Sequence, residues 1–267
     1  MLSRELRRRL LGLSAGPEQG QPPREDRRIP SSEGLGELAR GEAGACVLIT
    51  TTVPAMAQWS LAWGVVGQRG QSRPGQDHLG LLARLRPSEI AFLDIETAGI
   101  RDAPVFLVGT LRADGGEWQI IQHLARHYGE EKAVLEQALT HLGRARALVT
   151  YNGSAFDLPY LSQRAALHGL AGLPSLFHLD LLPLARRRWA DGLGDCRLLT
   201  LEARVLGSRR ETDVPSAEIP NRYHEFMRLG DERVLLPVLE HNRRDLMALV
   251  GILAFLLNET GAAGGGG

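Results

Sequence analysis

Two acidic residues stand two positions apart at the end of a short apolar run. Asp94 and Glu96 close the segment 90–96, Ile-Ala-Phe-Leu-Asp-Ile-Glu, which has the composition of a buried strand. Alternate residues of a strand share one face, so both carboxylates converge on one spot with Ile95 buried behind them. Two like charges repel unless a cation lies between them, and hard oxygen ligands suit Mg²⁺ or Mn²⁺. The alternative is an exposed acidic strand end that binds nothing.

Three residues further along the chain could take part in the same chemistry. Asp157 follows another apolar run, although an Asp after Asn-Gly is also ordinary turn and helix-cap chemistry. His241 and Asp245 are four apart on an apolar helical pattern, so they share one face. An unpaired aspartate there is costly to bury. We therefore expect Asp245 either to pair with an arginine such as Arg243 or Arg244, or to bind metal.

These acids lie in three segments that resemble the motifs of the DEDD (DnaQ-like) 3′–5′ exonuclease superfamily. The segments are Asp94-Ile95-Glu96-Thr97-Ala98-Gly99, the stretch 152–157 with its Asn and Phe-Asp, and His241-Asn242-Arg243-Arg244-Asp245. Further similarity is to the YprB-type ribonuclease H-like domain, in Phe156-Asp157-Leu158-Pro159, His178-Leu179-Asp180-Leu181-Leu182 and the final His-Asn-x-x-Asp. The resemblance covers about residues 88–257.

The resemblance implies a ribonuclease H-like fold and phosphodiester hydrolysis with two Mg²⁺ or Mn²⁺ ions. The implied metal ligands are Asp94, Glu96, Asp157 and Asp245. His241 would position or deprotonate the attacking water, but it lies four residues before Asp245, where a catalytic histidine of this superfamily usually lies five before. The YprB-type domains share this offset. The role of His241 as the base is therefore open.

Other residues are candidates for substrate contact. The resemblance implies that Thr97 and Gly99 let the backbone approach the terminal nucleotide and that Asn152 orders the second motif. The run 186–188 is all arginine, so Arg186 and Arg187 could bind the phosphate backbone, or form an ordinary solvated helix face.

Two more residues near these candidates have competing interpretations. Trp189 could stack on a base or belong to the core. Asp180, at the end of an apolar run, could assist metal or substrate placement, or serve as a strand-end or helix-cap residue.

The pattern of apolar residues predicts an α/β fold. The order of the elements, a three-strand meander followed by βαβ units, predicts a mixed five-stranded sheet with helices on both faces, and the resemblance implies that this fold is ribonuclease H-like. The predicted strands cover 90–94, 105–111, 118–124, 147–151 and 177–180, with an Asp-Gly turn signal at 114–115. The predicted helices cover 130–142, 156–168, a segment from 181, 198–206 and 236–257.

The chain divides by composition into three parts. Residues 1–80 are predicted as a basic, partly disordered N-terminal extension, with a short helix at 2–13, a linker at 14–43, a possible strand at 47–53 and a loop at 67–80. Residues 85–260 form the ribonuclease H-like exonuclease domain. Residues 261–267, rich in glycine, form a disordered tail.

Composition limits the class of protein only loosely. The 267 residues carry a formal net charge of zero, with seven arginines against four acids in 1–30 and seven against three in 181–210. Such local basic patches can bind phosphate. Cys46 and Cys196 form no metal-ligand or redox spacing. No apolar run is long enough for a signal-peptide core or a bilayer span, so we expect a cytoplasmic protein without membrane contact.

Two functional hypotheses follow, with a third as background. The first is a metal-dependent nuclease, a 3′–5′ exonuclease acting on single-stranded nucleic acid ends. The second is a nucleic-acid-binding ribonuclease H-like module with little or no turnover. The presence of all four acids favours the first. The third is an unrelated α/β protein with acids placed by chance. The choice between DNA and RNA, exo- and endonucleolytic cleavage, and the oligomeric state stay open.

Overall fold

One mixed sheet of seven strands organises the computed structural model, which describes residues 34–53, 78–114 and 117–262. The strands are β1 (Glu37–Gly41), β2 (Gly44–Thr52), β3 (Ile90–Thr97), β4 (Val105–Asp114), β5 (Glu117–Leu124), β6 (Ala147–Thr150) and β7 (Phe177–Asp180). Their order across the sheet is β1-β2-β5-β4-β3-β6-β7. Strand β6 is parallel to both β3 and β7, whereas the other neighbouring pairs are antiparallel.

Helices cover both faces of this sheet. They are α1 (His78–Leu82), α2 (Glu131–Leu142), α3 (Asp157–Leu167), α4 (Leu181–Leu193), α5 (Leu198–Arg204), α6 (Ile219–Leu229) and α7 (Leu236–Ala262). One core cluster joins Leu93 and Ile95 of β3 to α2, α3 and α6, and the other joins Phe92 to α1, α4, α5 and most of α7. Successive β3 residues alternate between the two cores because strand side chains alternate between faces.

The five predicted strands are all present in the predicted order. Strands β3, β4 and β5 form the antiparallel meander, and Asp114 pairs with Glu117 across the predicted hairpin, whose turn residues 115–116 lie outside the described residues. The predicted helices correspond to α2, α3, α4, α5 and α7. The mixed α/β, ribonuclease H-like fold class is therefore confirmed.

The strand count of five is wrong, because β1 and β2 extend the sheet. β2 pairs with β5 from Val47↔Leu124 to Thr52↔Gln119, which satisfies the edge of β5 that faces away from β4. The predicted strand at 47–53 is thus confirmed, and the predicted linker is wrong over Glu37–Gly41, which is β1.

Several terminal predictions fall wholly or partly outside the described residues. The helix at 2–13 and most of the linker at 14–43 lie there, as does most of the loop at 67–80. The loop prediction is wrong at 78–80, which begin the helix His78–Leu82. The predicted disordered tail begins inside α7, which runs to Ala262, and the rest of that tail lies outside the described residues. The domain boundaries stay predictions.

Helix α6 has no counterpart among the predicted elements. It buries Ile219, Tyr223 and Phe226, and the Tyr223 ring stacks on Phe106 of β4 with centroids 4.0 Å apart. Among the described helices, none combines the length and apolarity needed to cross a bilayer.

Candidate active site

Parallel pairing brings the first and second motifs to the same edge of the sheet. Because β3 and β6 run parallel, their carboxyl ends lie side by side. Asp94 and Glu96 stand near the end of β3, and the chain leaving β6 reaches Asp157 at the first residue of α3. The Asp157 carboxylate accepts a hydrogen bond from the backbone N–H of Ile95. The two motifs are therefore in direct contact.

The turn between β6 and α3 is held by Asp180. Its carboxylate accepts hydrogen bonds from the backbone N–H groups of Asn152 at 2.8 Å and Ser154 at 3.1 Å. It also caps α4 by accepting from Leu182 N at 3.0 Å. Asn152 has a positive φ of 64°, a conformation that asparagine tolerates well in turns. Asp180 thus has the predicted cap role, and the backbone of Asn152 shapes the loop that leads to Asp157.

The third motif contacts the first through Asn242 of α7. This fully buried side chain donates from Nδ2 to Oδ2 of Asp94 at 2.7 Å, and its Oδ1 accepts from Gln122 Nε2 at 2.8 Å. Gly109 lies opposite Asp94 in the register of β3 and β4, and a Cβ there would lie 2.1 Å from Asn242 Oδ1. A glycine is therefore required where the helix side chain reaches through to Asp94. Sequence reasoning gave Asn242 no role.

Negative charge accumulates where the three motifs meet. Burial, together with the charges of Glu96, Asp245 and Asp157, raises the pKa of Asp94 well above its ordinary value. Burial and the charges of Asp245, Asp157 and Asp213 likewise raise the pKa of Glu96.

Asp157 responds to the same environment. Burial raises its pKa to about 7, against the effect of backbone N–H groups that favour its ionised form. Among the described residues, no arginine, lysine or histidine forms an ion pair with Asp94, Glu96 or Asp157. Among the described residues these three carboxyl groups thus have no cationic partner, so their ionised forms are unfavourable in this partly buried site.

The donor chemistry of this cluster fits a divalent cation. Over the part of the chain that the structure describes, no three His, Cys, Asp or Glu side chains already meet as a set of metal ligands. The carboxylates of Asp94, Glu96 and Asp157 are nevertheless hard oxygen donors whose mutual repulsion a cation would relieve. The predicted ligand set is supported by this charge distribution and stays a prediction.

Asp245, the fourth predicted ligand, is bound by an arginine that sequence reasoning did not identify. Arg210 Nη2 lies 2.5 Å from Asp245 Oδ1. The same guanidinium contacts Glu202 Oε2 at 2.6 Å and Asp213 Oδ2 at 2.9 Å. The expected neighbours Arg243 and Arg244 instead form ion pairs with Glu240, so they are not the partners of Asp245.

His241 is oriented by a carboxylate from outside the three motifs. Its Nδ1 lies 2.8 Å from Asp213 Oδ1, and its Nε2 lies 3.5 Å from Asp245 Oδ2. An ionised carboxylate can only accept, so Nδ1 carries the proton and Nε2 faces Asp245. Burial opposes ionisation of Asp213, but the hydrogen bond from His241 and the charge of Arg210 outweigh it and lower its pKa. Asp213 lies in a polar loop without periodicity, so no sequence signal marked it.

A cleft of about 820 Å³ opens beside His241 and Asp245. Its volume lies within the range of small-ligand sites, roughly 300–1,000 Å³. The lining combines apolar, acidic and basic side chains, among them Leu182, Val214, Asp195, Arg186 and Arg197.

Of the two predicted phosphate-binding residues, the cleft lining includes Arg186 and not Arg187. Successive helix residues point about 100° apart, which separates the two side chains. Trp189 packs against Phe255 with ring centroids 5.7 Å apart, which supports its core interpretation.

The loop that follows the first motif, and the second motif itself, each present an exposed apolar side chain. Ile100 is 90% exposed and Phe156 is 40% exposed. Both adjoin the acidic residues in sequence, and such side chains can contact bases. Within the first motif the Thr97 hydroxyl donates to the Gly99 carbonyl at 2.7 Å, so this hydroxyl stabilises the turn.

The fold and the clustered acids define a ribonuclease H-like domain, a class of domain that acts on nucleic acids. The family model RNase_H_2, of the RNase_H superfamily, matches residues 91–257, and the chain belongs to this family. Membership of this superfamily indicates a nuclease, and nucleases of this fold generally use divalent metals.

A relative and a solved structure are also similar to this chain. "Uncharacterized protein YprB" of Bacillus subtilis is 34% identical over 170 residues, which are 62% of this chain and 41% of that protein. The chain thus spans less than half the length of this relative. The family B DNA polymerase of the archaeon Pyrobaculum calidifontis matches with a TM-score of 0.53 and 18% identity over 63% of this chain and 24% of the polymerase. At this identity the match shows a shared fold.

Proposed function

We propose that this chain is a metal-dependent nuclease that hydrolyses phosphodiester bonds at single-stranded nucleic acid ends, in the 3′–5′ direction. The observation that carries the proposal is that Asp94, Glu96 and Asp157 lie close enough to raise one another's pKa values, with no cationic partner among the described residues, in the same site as the His241–Asp213 pair. The substrate class follows from the ribonuclease H superfamily.

The metal would be held by the four acids Asp94, Glu96, Asp157 and Asp245. If two Mg²⁺ or Mn²⁺ ions were held there, they would stabilise the attacking and leaving oxygens and lower the pKa of a bound water. The raised pKa values of the acids mean that protons compete with cations for these oxygens.

His241 is suited to accept a proton from the attacking water. Its Nδ1–H donates to Asp213, so the lone pair is on Nε2, the ring nitrogen that faces Asp245. An adjacent carboxylate stabilises the imidazolium that forms when Nε2 takes a proton. The bond to Asp213 supports the base role that the four-residue offset left open.

Substrate contacts would extend from the acids into the cleft. Arg186 lies on its wall and can bind backbone phosphate, with Arg187 available on the adjoining exposed helix face. Thr97 and Gly99 shape the turn at the end of β3, and Asn152 of the second motif is among the residues that line the cleft. A neighbouring exposed aromatic, Phe156, suits an unstacked base better than a closed duplex.

The proposal is tested with 5′-labelled single-stranded and duplex DNA and RNA in the presence of Mn²⁺ or Mg²⁺. We expect progressive shortening from the 3′ end, which Asp94→Asn reduces at least a thousandfold while the circular dichroism spectrum is unchanged. The matched control is Asp114→Asn, an exposed aspartate at the opposite end of the sheet. Full activity of Asp94→Asn would refute the metal assignment. Binding without cleavage by the wild type would establish the binding-module alternative.

A further inference from the structure

A single buried guanidinium connects three carboxylates at the back of the candidate active site. The Arg210 side chain is 3% exposed and contacts Glu202 of α5, Asp213 of the following loop and Asp245 of α7. A guanidinium is always protonated in proteins, and this one lies within ion-pair distance of all three acids. Arg210 is thus a permanent positive charge next to one predicted metal ligand.

This contact sets Asp245 apart from the other three acids. Asp94, Glu96 and Asp157 are free of basic partners among the described residues, whereas Asp245 Oδ1 is bound to Arg210 at 2.5 Å. Its other oxygen, Oδ2, lies 3.5 Å from His241 Nε2. A cation that uses Asp245 therefore meets the guanidinium beside Oδ1 and has only Oδ2 free of contact with Arg210.

We propose that Arg210 is a positioning residue that competes with divalent cations for Asp245 and so sets how tightly the site binds metal. This inference rests on the proposed function, because it concerns the same site. A positive charge within contact distance of a ligand opposes a second cation there, and the interaction is strong because the pair is shielded from water. Arg210 therefore keeps Asp245 ordered in the metal-free protein at the expense of metal affinity.

Because three acids share one guanidinium, one substitution is expected to raise the metal affinity of the site and another to lower it. Arg210 divides its charge among three acids, so removing the charge of Glu202 strengthens its hold on Asp245. Removing the guanidinium itself frees both oxygens of Asp245. If Arg210 only held α5 and α7 together, removing Arg210 and removing the charge of Glu202 would both weaken that contact. The two substitutions would then change metal affinity in the same direction.

The test is direct Mn²⁺ binding measured by isothermal titration calorimetry on the full chain at pH 7.5. We expect Arg210→Met to bind Mn²⁺ at least tenfold more tightly than wild type and Glu202→Gln to bind it about threefold more weakly. Arg210→Lys, which keeps the charge but not the three-way contact, should lie within threefold of wild type. Arg243→Met is the matched control, since this α7 arginine is paired with Glu240 and contacts none of the four acids.

The outcomes separate this inference from the proposed function. A wild type that binds no Mn²⁺ refutes the metal site itself, and this inference with it. Mn²⁺ binding that is the same in wild type, Arg210→Met and Arg243→Met refutes the role of Arg210 alone. If Arg210→Met does not fold, Glu202→Gln decides, because the glutamine keeps the shape of the side chain. Unchanged or tighter Mn²⁺ binding in Glu202→Gln then overturns the inference.

Discussion

Replacing Asn242 tests whether the third motif controls the ionisation of the first. The Asn242 amide donates to Asp94 Oδ2 at 2.7 Å and lowers a pKa that burial and neighbouring acids raise. Asn242→Leu removes this donor while roughly keeping the volume of the side chain. The proton then binds Asp94 more tightly, and less of the carboxylate is ionised at a given pH.

The size of the effect follows from the nature of the bond. A hydrogen bond to a charged group contributes about 1.5–3 kcal/mol. This corresponds to about 1–2 pKa units for the carboxyl that loses it. We therefore expect the acid limb of the cleavage rate against pH to move upward by about 1–2 units, with a roughly 10- to 100-fold lower rate below that limb.

The assay is the initial rate of cleavage of a labelled oligonucleotide between pH 5 and 9 at a fixed, sub-saturating Mn²⁺ concentration, because protons compete with the cation for the Asp94 carboxylate. Gln122→Leu is the control with an expected smaller effect, because Gln122 donates to Asn242 and makes no bond to Asp94. Its acid limb should move less than that of Asn242→Leu. Thermal unfolding monitors the fold of both variants. A folded Asn242→Leu protein with the wild-type acid limb would refute the link between Asn242 and the ionisation of Asp94.

Three further predictions concern stability. Because the folded-state pKa of Asp157 is about 7 and the usual value is 3.8, the folded protein binds more protons, so without metal its stability falls as pH rises from about 4 to 7. The part of the fall that comes from this group is at most about 4 kcal/mol, and in urea unfolding Asp157→Asn should remove that part while Asp94 and Glu96 keep theirs, whereas added Mn²⁺ should oppose the whole fall; a flat profile in wild type contradicts it. Asp180→Ala removes three backbone hydrogen bonds and should lower the unfolding free energy by about 2 kcal/mol, whereas an unchanged melting temperature would exclude its role in the turn. Glu131→Gln breaks a buried ion pair with Arg164 and a bond to His168, and we expect a loss of about 3–5 kcal/mol in denaturant unfolding, well above that of the exposed-pair control Asp231→Asn.

The strands that carry the acids could be predicted because their signal is local. The segment 90–96 is apolar up to its acids, and its alternation places Ile95 in one core while Asp94 and Glu96 lie on the face toward α7. The edge strand β1 has the sequence Glu-Leu-Ala-Arg-Gly and an exposed pattern, so only its pairing with β2 defines it. That pairing is a tertiary property.

The partners of the acids could not be predicted for a different reason. Arg210 and Asp213 lie in a polar stretch without periodicity, and Arg210 reaches Asp245 across 35 residues. Helix α6 did carry a usable signal, since its buried residues Ile219, Tyr223 and Phe226 are spaced by four and three. Pro220 near its start, and the many polar residues between, obscured it.

Gly109 has a consequence for how substitutions in this protein are interpreted. It is buried and has no side chain, yet a methyl group there would lie 2.1 Å from Asn242 Oδ1 and push α7 away from the sheet. Screens that score loss of cleavage would therefore rank position 109 beside the acids themselves. The substitutions tolerated at position 109 therefore report how closely α7 must approach the sheet. We expect that a smaller residue at position 242 would permit a larger one at position 109.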